Sequence, residues 1–473
     1  MIARGFEPLT VCLEGRCSIQ LSYATFFDEC KCKKICLNLK ISIVFIYLKI
    51  METYASILLW VIPGFMVMMT FEMLYGHFTN KQTYSFMDTL SSLSSGITNI
   101  LKDSLGLVVV ILSYPYILDS IAFFDLESSV LLYVVAFICI DFASYWNHRL
   151  NHKVNIFWNR HVIHHSSEEF NLACALRQSI SAWIGFGALF LIPAAFFGVP
   201  PEIIAFLAPL HLFAQFWYHT QHIGKLGFLE YIIVTPSQHR VHHAINPVYI
   251  DKNLSAIFCI WDRAFGTFQE ELDNEPPVYG VLKPVNTWNP LLINFQHAFN
   301  VIEDAYNTTN FKDKFRIWFM PTGWRPKDVI DKFPRNVIKD PHTRSKYSPN
   351  YSLFLKFVAV FHFVSINYFV YFFLSNFSLI GDDLKFLFGI LIFVAVFGFT
   401  SLLDLHKWAP YFEMIRSLLS IVALYYINDQ FLLTNYNSEL FLMTLYFTLS
   451  ILISIIIIFY KNHVLIGFKN EIT

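Results

Sequence analysis

Nine stretches of this chain are apolar for long enough to cross a bilayer as helices, at about 52–72, 104–124, 129–147, 180–199, 202–218, 352–374, 385–404, 413–430 and 439–460. Crossing about 30 Å of hydrocarbon takes roughly 20 apolar residues in a helix, the structure that satisfies every backbone polar group within one segment. No soluble arrangement accommodates so many, and a hydrophobic content of 55% over 473 residues agrees. The expected fold is all-α, a polytopic integral-membrane helical bundle. The stretches at 202–218 and 413–430 are the weakest and also fit re-entrant or interfacial helices.

Loop charge sets the orientation, because short loops retained in the cytoplasm keep Lys and Arg. The connections DLES (125–128), GVPPE (198–202), NFSLIGDD (376–383) and NDQFLLTNYNSE (428–439) contain neither. Lys81, Lys102, Arg149, Lys153, Arg160, Arg177, Lys225, Arg240, Lys252 and the run from Lys312 to Lys346 fall on the opposite side. One orientation satisfies all of these loops. A formal net charge of -1, with no basic stripe, gives no support for nucleic acid as a partner.

The chain divides into an N-terminal extension at 1–50, a catalytic membrane domain at 51–270, a polar cytosolic segment at 271–350 and C-terminal transmembrane helices at 351–473. METYASILLW, beginning at Met51, has the form of an alternative start running into the first span. CKCKKIC (30–36) matches no regular zinc spacing and has no partner cluster. The last block is expected to pack as a lipid-embedded bundle.

Eleven of the 17 histidines lie between His148 and His243, most of them in HRLNH (148–152), HVIHH (161–165), HTQH (219–222) and HRVHH (239–243). Helical residues three and four apart share a face, so each group aims two or three imidazoles at one point. HRLNH and HTQH close the cytoplasmic ends of two spans, and the other two groups follow spans. Four segments can therefore converge beneath the bilayer into a histidine-rich cap. A single zinc wants about four ligands, whereas nine or ten nitrogens suit two metals. Imidazole alone does not choose among Zn, Fe, Cu and Ni.

Two divalent ions among neutral imidazoles call for nearby carboxylates. Asp141, on the same face as His148, is read either as a group supporting a ligand or as a carboxylate reaching the nearby interface. Glu168 and Glu169, immediately after HVIHH, are read as reaching the metals or as solvated loop charges. His211, inside a span, is expected to be a hydrogen-bonded packing residue. Asp262 and Arg263 form an expected local ion pair, with Gly266 in a tight turn.

HRLNH, HVIHH and HRVHH on a polytopic chain resemble the fatty acid hydroxylase and sterol desaturase superfamily of integral-membrane di-iron enzymes. The likeness extends through HHSSEEFNLACALRQS (164–179), QFWYHTQHIGKLGFLEYIIVTPSQHRVHHAINPVYIDKN (215–253) and IWDRAFGTFQEE (260–271). It implies two iron ions held by His148, His152, His161, His164, His165, His219, His239, His242 and His243, with His222 a further candidate and Glu168 as the essential carboxylate. Gln238 stands where a histidine often precedes HRVHH. Within the superfamily, these stretches are most similar to the branch that cleaves ether lipids. That implies O2 and tetrahydrobiopterin, an alkylglycerol lipid substrate and a place in the endoplasmic reticulum membrane. Trp183, Phe186, Phe213, Phe216, Trp217 and Tyr218 are candidate walls of an alkyl tunnel, or lipid-facing residues. The competing readings are a sterol or fatty-acyl hydroxylase with another electron donor and a membrane metal transporter. The transporter fits less well, because most of the histidines lie outside the spans.

Overall fold

The computed structural model describes residues 31–107, 109–110, 113–124, 129–182, 184–185, 187–431 and 437–460. Its principal helices are α1 (Lys31–Phe78), α2 (Phe86–Ser104), α3 (Val130–Lys153), α4 (Pro201–Phe213), α5 (Pro236–His242), α6 (Pro290–Asn307), α7 (Phe311–Arg316), α8 (Leu353–Ser375), α9 (Asp382–Leu403), α10 (Ala409–Phe431) and α11 (Asn437–Phe459). The regular strand structure among the described residues is one parallel pair, Val109–Val110 with Ile184–Gly185. The protein is thus a helical, multi-pass membrane protein. Five segments are long and apolar enough to span: Ala55–Phe78, Val130–Lys153, Leu353–Ser375, Asp383–Leu403 and Ser438–Phe459. The side chains of the N-terminal cysteines, Trp183 and Phe186, and the loop 125–128, lie outside the described residues.

Two of the expected spans are not single helices, and the reason is local. The stretch 104–124 begins where α2 stops, at Gly106 with φ 63°, whose left-handed backbone lets Leu107 N donate to Lys102 O at 3.0 Å. It resumes only as Tyr114–Ile121, with proline in its first turn. The stretch 180–199 breaks into a 3₁₀ turn, Gly187–Leu191, and Ile192–Phe196, again with proline at its start. The two broken pieces satisfy each other: Tyr114 Oη donates to Val199 O at 2.7 Å and Phe123 N to Phe196 O at 3.1 Å. Irregular backbone at membrane depth is tolerated when it is buried in protein in this way. The stretch 202–218 is helical only as far as Phe213.

Lys102, one of the charges on the Lys- and Arg-bearing side, is buried near the end of α2, donating to Ser179 O at 3.0 Å. The C-terminal bundle buries Phe373, Phe399 and Phe447 against Leu90, Ile97 and Leu101 of α2. α10 forms where 413–430 was expected, but it carries a fully buried Glu413 ion-paired with Arg416, and Ser450 of α11 donates to Glu413 Oε2 at 2.9 Å. A buried ion pair needs such extra hydrogen bonds to offset its desolvation.

Candidate metal centre

Four chain segments deliver the histidines. His148 and His152 occupy the last turns of α3, which starts at a Ser129 cap whose side chain accepts from Leu132 N at 3.3 Å. His161 precedes the one-turn helix Val162–His165, which carries His164 and His165. His219 follows α4. α5 is fixed by Thr235, which caps Gln238 N at 3.4 Å, and by Pro236 in its first turn; His239 and His242 share one face and His243 closes the helix.

These nine residues, from separate parts of the chain, form two groups in which one ligand atom per residue lies within 4.8 Å of the others. One contains His148, His152, His161, His165 and His242, and the other His164, His219, His239 and His243. The groups adjoin, since the His165 and His243 rings stack with centroids 4.3 Å apart.

Hydrogen bonding on the outer edge of the rings determines what points inward. His148 Nδ1–H donates to Leu254 O at 2.8 Å, His164 Nδ1–H to Arg177 O at 3.3 Å, His219 Nδ1–H to Gln215 O at 3.1 Å and His242 Nδ1–H to Lys252 O at 3.0 Å. A carbonyl accepts only from a protonated nitrogen, so in each neutral ring Nε2 carries the lone pair. The consequence is clearest between His219 and His164, whose Nε2 atoms face each other at 3.4 Å. Both are acceptors, and two lone pairs at that distance repel unless a cation lies between them. His239 Nε2 faces His219 Nε2 at 2.9 Å, and His148 Nε2 faces His161 Nε2 at 2.9 Å. The buried Nε2 atoms of His152, His165 and His242 have no hydrogen-bond partner among the described residues.

Charge state agrees with this geometry. Burial first, and the neighbouring imidazoles second, push His161, His165, His239 and His243 far below the ordinary histidine range. His219 is lowered to about 4, also by burial. Neutral, converging and desolvated imidazoles are the donor set a divalent transition metal requires. The residues present therefore fit two metal ions.

The remaining candidates lie around the groups. Asp141 is fully buried and accepts from His211 Nε2 at 2.7 Å, Ile257 N at 2.9 Å, Phe258 N at 3.0 Å and Trp261 Nε1 at 2.8 Å. These hydrogen-bond partners lie outside both histidine groups, and Asp141 braces the 257–261 loop against α3 and α4. His211 is the packing residue expected of it. Glu168 accepts from Arg344 Nη1 at 2.5 Å and Tyr347 N at 2.6 Å, and Glu169 pairs with Lys346 at 2.6 Å. His222 belongs to neither group; its ring packs on Tyr75 at 5.0 Å. Gln238 donates to Glu230 O at 2.7 Å, a structural use of that position. Of the candidate tunnel residues, Phe213 is exposed, Phe216 packs on Phe65 at 4.2 Å and Tyr218 is buried against His239 at 4.2 Å.

Asp262 does not pair with Arg263. Its carboxylate accepts from Leu254 N at 2.7 Å, Ser255 N at 2.9 Å and Thr267 Oγ1 at 2.7 Å, while Arg263 lies over the Phe268 ring at 3.7 Å. Gly266, at φ 71°, makes the expected turn. Asp262 thereby fixes the residue whose carbonyl orients His148. Sequence reasoning also missed Asp251, whose Oδ1 lies 3.5 Å from His152 Nδ1, and Arg177, whose guanidinium is held by Asp88 at 2.8 Å while its carbonyl orients His164. The one available signal was buried-type charge in otherwise apolar flanks, as with Asp88 and Arg177.

A family model described as fatty acid hydroxylase matches residues 133–267, the region that contains all nine histidines. Among curated proteins, the chain is 41% identical to an alkylglycerol monooxygenase of Homo sapiens over 244 residues, covering 50% of this chain and 53% of that protein. It is 36% identical to an alkylglycerol monooxygenase of Xenopus tropicalis over 301 residues, covering 63% and 67%. An ornithine lipid hydroxylase of Rhizobium tropici is 27% identical over 135 residues, 28% of this chain and 41% of that protein. The chain thus spans about half the length of the Homo sapiens relative and two thirds of the Xenopus tropicalis one. No solved structure matches. On the extent of these matches, the chain belongs to the alkylglycerol monooxygenase family of fatty acid hydroxylase proteins.

Proposed function

We propose that this chain is a di-iron monooxygenase that hydroxylates the ether-linked alkyl carbon of alkylglycerol lipids, with O2 as oxidant and tetrahydrobiopterin as reductant. It would work in the endoplasmic reticulum membrane, with its histidine groups facing the cytosol. The observation that carries the reading is the pair of buried or half-buried, neutral imidazole groups, five and four strong, whose lone pairs converge. In the proposed domain division, 51–270 is the catalytic membrane domain, 271–350 a cytosolic segment and 351–473 the C-terminal membrane helices.

His148, His152, His161, His165 and His242 would hold one iron, and His164, His219, His239 and His243 the other. Iron, when bound, supplies the redox capacity for hydroxylating an alkyl carbon, which zinc lacks. The work of the chain itself is orientation and exclusion. The carbonyls of Leu254, Arg177, Gln215 and Lys252 hold the Nδ1 protons outward, which fixes the tautomers and keeps each Nε2 on the metal side. Glu168 is the proposed functional carboxylate. Its pairing with Arg344 and Tyr347 N anchors it three residues beyond His165. Asp141 serves by holding the 257–261 loop in register.

A site at the ends of the spans also suits the substrate. Each methylene of an alkyl tail gains about 0.8 kcal/mol on leaving water, so the tail stays in the membrane while the ether linkage reaches the histidines. One oxygen atom inserted at the carbon beside the ether oxygen gives a hemiacetal, which collapses to a fatty aldehyde and a glycerol derivative. The second oxygen leaves as water, with two electrons and two protons from the reductant.

The test is an assay of membranes carrying the chain on an alkylglycerol, with tetrahydrobiopterin supplied or withheld, together with iron quantification. Aldehyde formed only with the pterin, and about two irons per chain, is the expected result. Turnover of sterols or fatty acyl groups that is indifferent to pterin would instead indicate the other hydroxylase reading, and full turnover without iron would end both.

A further inference from the structure

α6, α7 and the turn after α7 lie outside the five span-length segments, yet they expose large apolar side chains. These are Phe299, Ile302 and Tyr306 on α6, and Phe311, Phe315 and Phe319 on and just beyond α7. Exposure runs from 50% at Ile302 to 83% at Tyr306. The spacings of three and four residues place each set on one helical face. The opposite face of α6 is the protein side, where Ile293, Asn294, Val301 and Asp304 are buried. With about 150–250 Å² for each aromatic side chain, the exposed strip amounts to roughly 800 Å², beyond the few hundred Å² usual on a soluble surface.

The position of α6 indicates what covers this strip. The helix starts at Asn289, whose amide donates to Phe397 O at 3.0 Å and Ser401 Oγ at 2.9 Å, in the last two turns of the span α9. Near its middle, His297 Nε2 donates to Asn155 O at 2.8 Å and Ala298 N to Asn159 Oδ1 at 2.9 Å, just past the end of the span α3 at Lys153. With a rise of about 1.5 Å per residue, those two attachments are separated by roughly 13 Å along α6. A helix pinned at two points to the terminal regions of two spans runs across their ends.

Most of the charges bordering the strip are already engaged within the chain, and Lys312 beside Phe311 is exposed. Glu303 pairs with Arg335 at 2.8 Å, Asp313 with Arg316 at 3.0 Å, and Lys314 Nζ donates to Ala305 O and Tyr306 O. What remains outward is apolar and aromatic apart from Lys312, a long cation of the kind that reaches from an apolar face to lipid headgroups. We propose that this face of α6 and α7 is embedded in the interfacial layer of the bilayer, beside the ends of the spans. α6 also packs against the one-turn helix carrying His164 and His165, so its immersion sets the depth of the histidine groups relative to the headgroups. The inference does not depend on which reaction the histidines support.

The test uses the full chain in phosphatidylcholine vesicles, with every native cysteine except the buried Cys139, Cys174 and Cys259 replaced by serine, and an environment-sensitive fluorophore on a single introduced cysteine at Ile302, Phe315 or Asp331. Asp331 is an exposed residue of the polar segment and serves as the water-facing control. Labels at 302 and 315 should be quenched by lipids spin-labelled near the headgroup at least twofold more than by aqueous iodide, and the label at 331 should show the reverse. Iodide quenching at all three positions, with no effect of the lipid quencher, would overturn the proposal. So would shielding of 302 and 315 that grows with protein density, which would indicate a second copy of the chain. A probe-free measurement guards against misfolding of the labelled chains: F299S/F315S should be cut by protease at the 309–310 turn at least fivefold faster than the unaltered chain in the same vesicles. Equal rates would also refute the proposal.

Discussion

Replacing Asp262 with Asn tests whether the histidine groups are oriented from outside. The substitution preserves shape but turns one carboxylate oxygen into an N–H donor. In the structure Oδ1 accepts from Leu254 N and Thr267 Oγ1, and Oδ2 from Ser255 N. Whichever way the amide is turned, one buried backbone N–H faces another donor. An unsatisfied buried donor costs about 1–3 kcal/mol, and the surviving bonds lose the added strength of an ionised acceptor. Leu254 then no longer presents its carbonyl rigidly to His148, which sits 2.8 Å from it. Loss of such an orienting partner weakens metal binding about 10–100-fold. The assay is metal retention by D262N against a graded series of chelator concentrations, with apparent melting temperature read on the same preparations. Expected are loss of metal at roughly tenfold less chelator and a lowered melting temperature. An unchanged chelator midpoint would refute the idea that Asp262 acts through Leu254 on the metal site. If melting also stayed the same, the buried hydrogen bonds would carry no net weight.

H164A should lower bound metal, because its Nε2 points into the four-histidine group, while H222A should leave metal content unchanged, because that ring lies outside both groups; atomic analysis of purified protein distinguishes the two. The metal-free chain should lose stability on acidification. His219 is held at about 4 when folded, against about 6.5 when unfolded. Between those values the unfolded chain binds the extra proton, so stability falls as pH drops from about 6.5 and the loss is complete below about 4; an apparent melting temperature that stays flat from pH 7.5 to 5 would contradict this. In the C-terminal bundle, a Cβ at Gly398 would collide with Glu413 Oε1, so G398A must displace a fully buried carboxylate from Arg416. Disturbing such a pair costs about 3–5 kcal/mol, and G398A should unfold at markedly lower temperature in detergent while keeping the histidine site's metal.

Spacing alone pointed to a convergent set of imidazoles, without choosing the metal. Imidazoles three and four residues apart in HRLNH, HVIHH and HRVHH share a face wherever the segment is helical, and the apolar run before HRLNH places it at a helix end. Five long apolar runs are likewise span-length helices, since a run of that length satisfies its own backbone wherever the rest of the chain goes. Hydropathy could not foresee that 104–124 and 180–199 break, because each becomes tolerable only through bonds to the other, such as Tyr114 to Val199. The same limit applies to Asp262, Asp251 and Arg177. Nothing in their own flanks names the histidine each one serves, which for Asp262 and Asp251 lies about a hundred residues away, and their roles follow from which backbone carbonyl or carboxylate ends up beside which ring. Local periodicity thus determined what the chain offers to a metal and to a membrane. Only tertiary contact, which sorts nine histidines into groups of five and four and turns Glu168 toward Arg344, decided how those offers are combined.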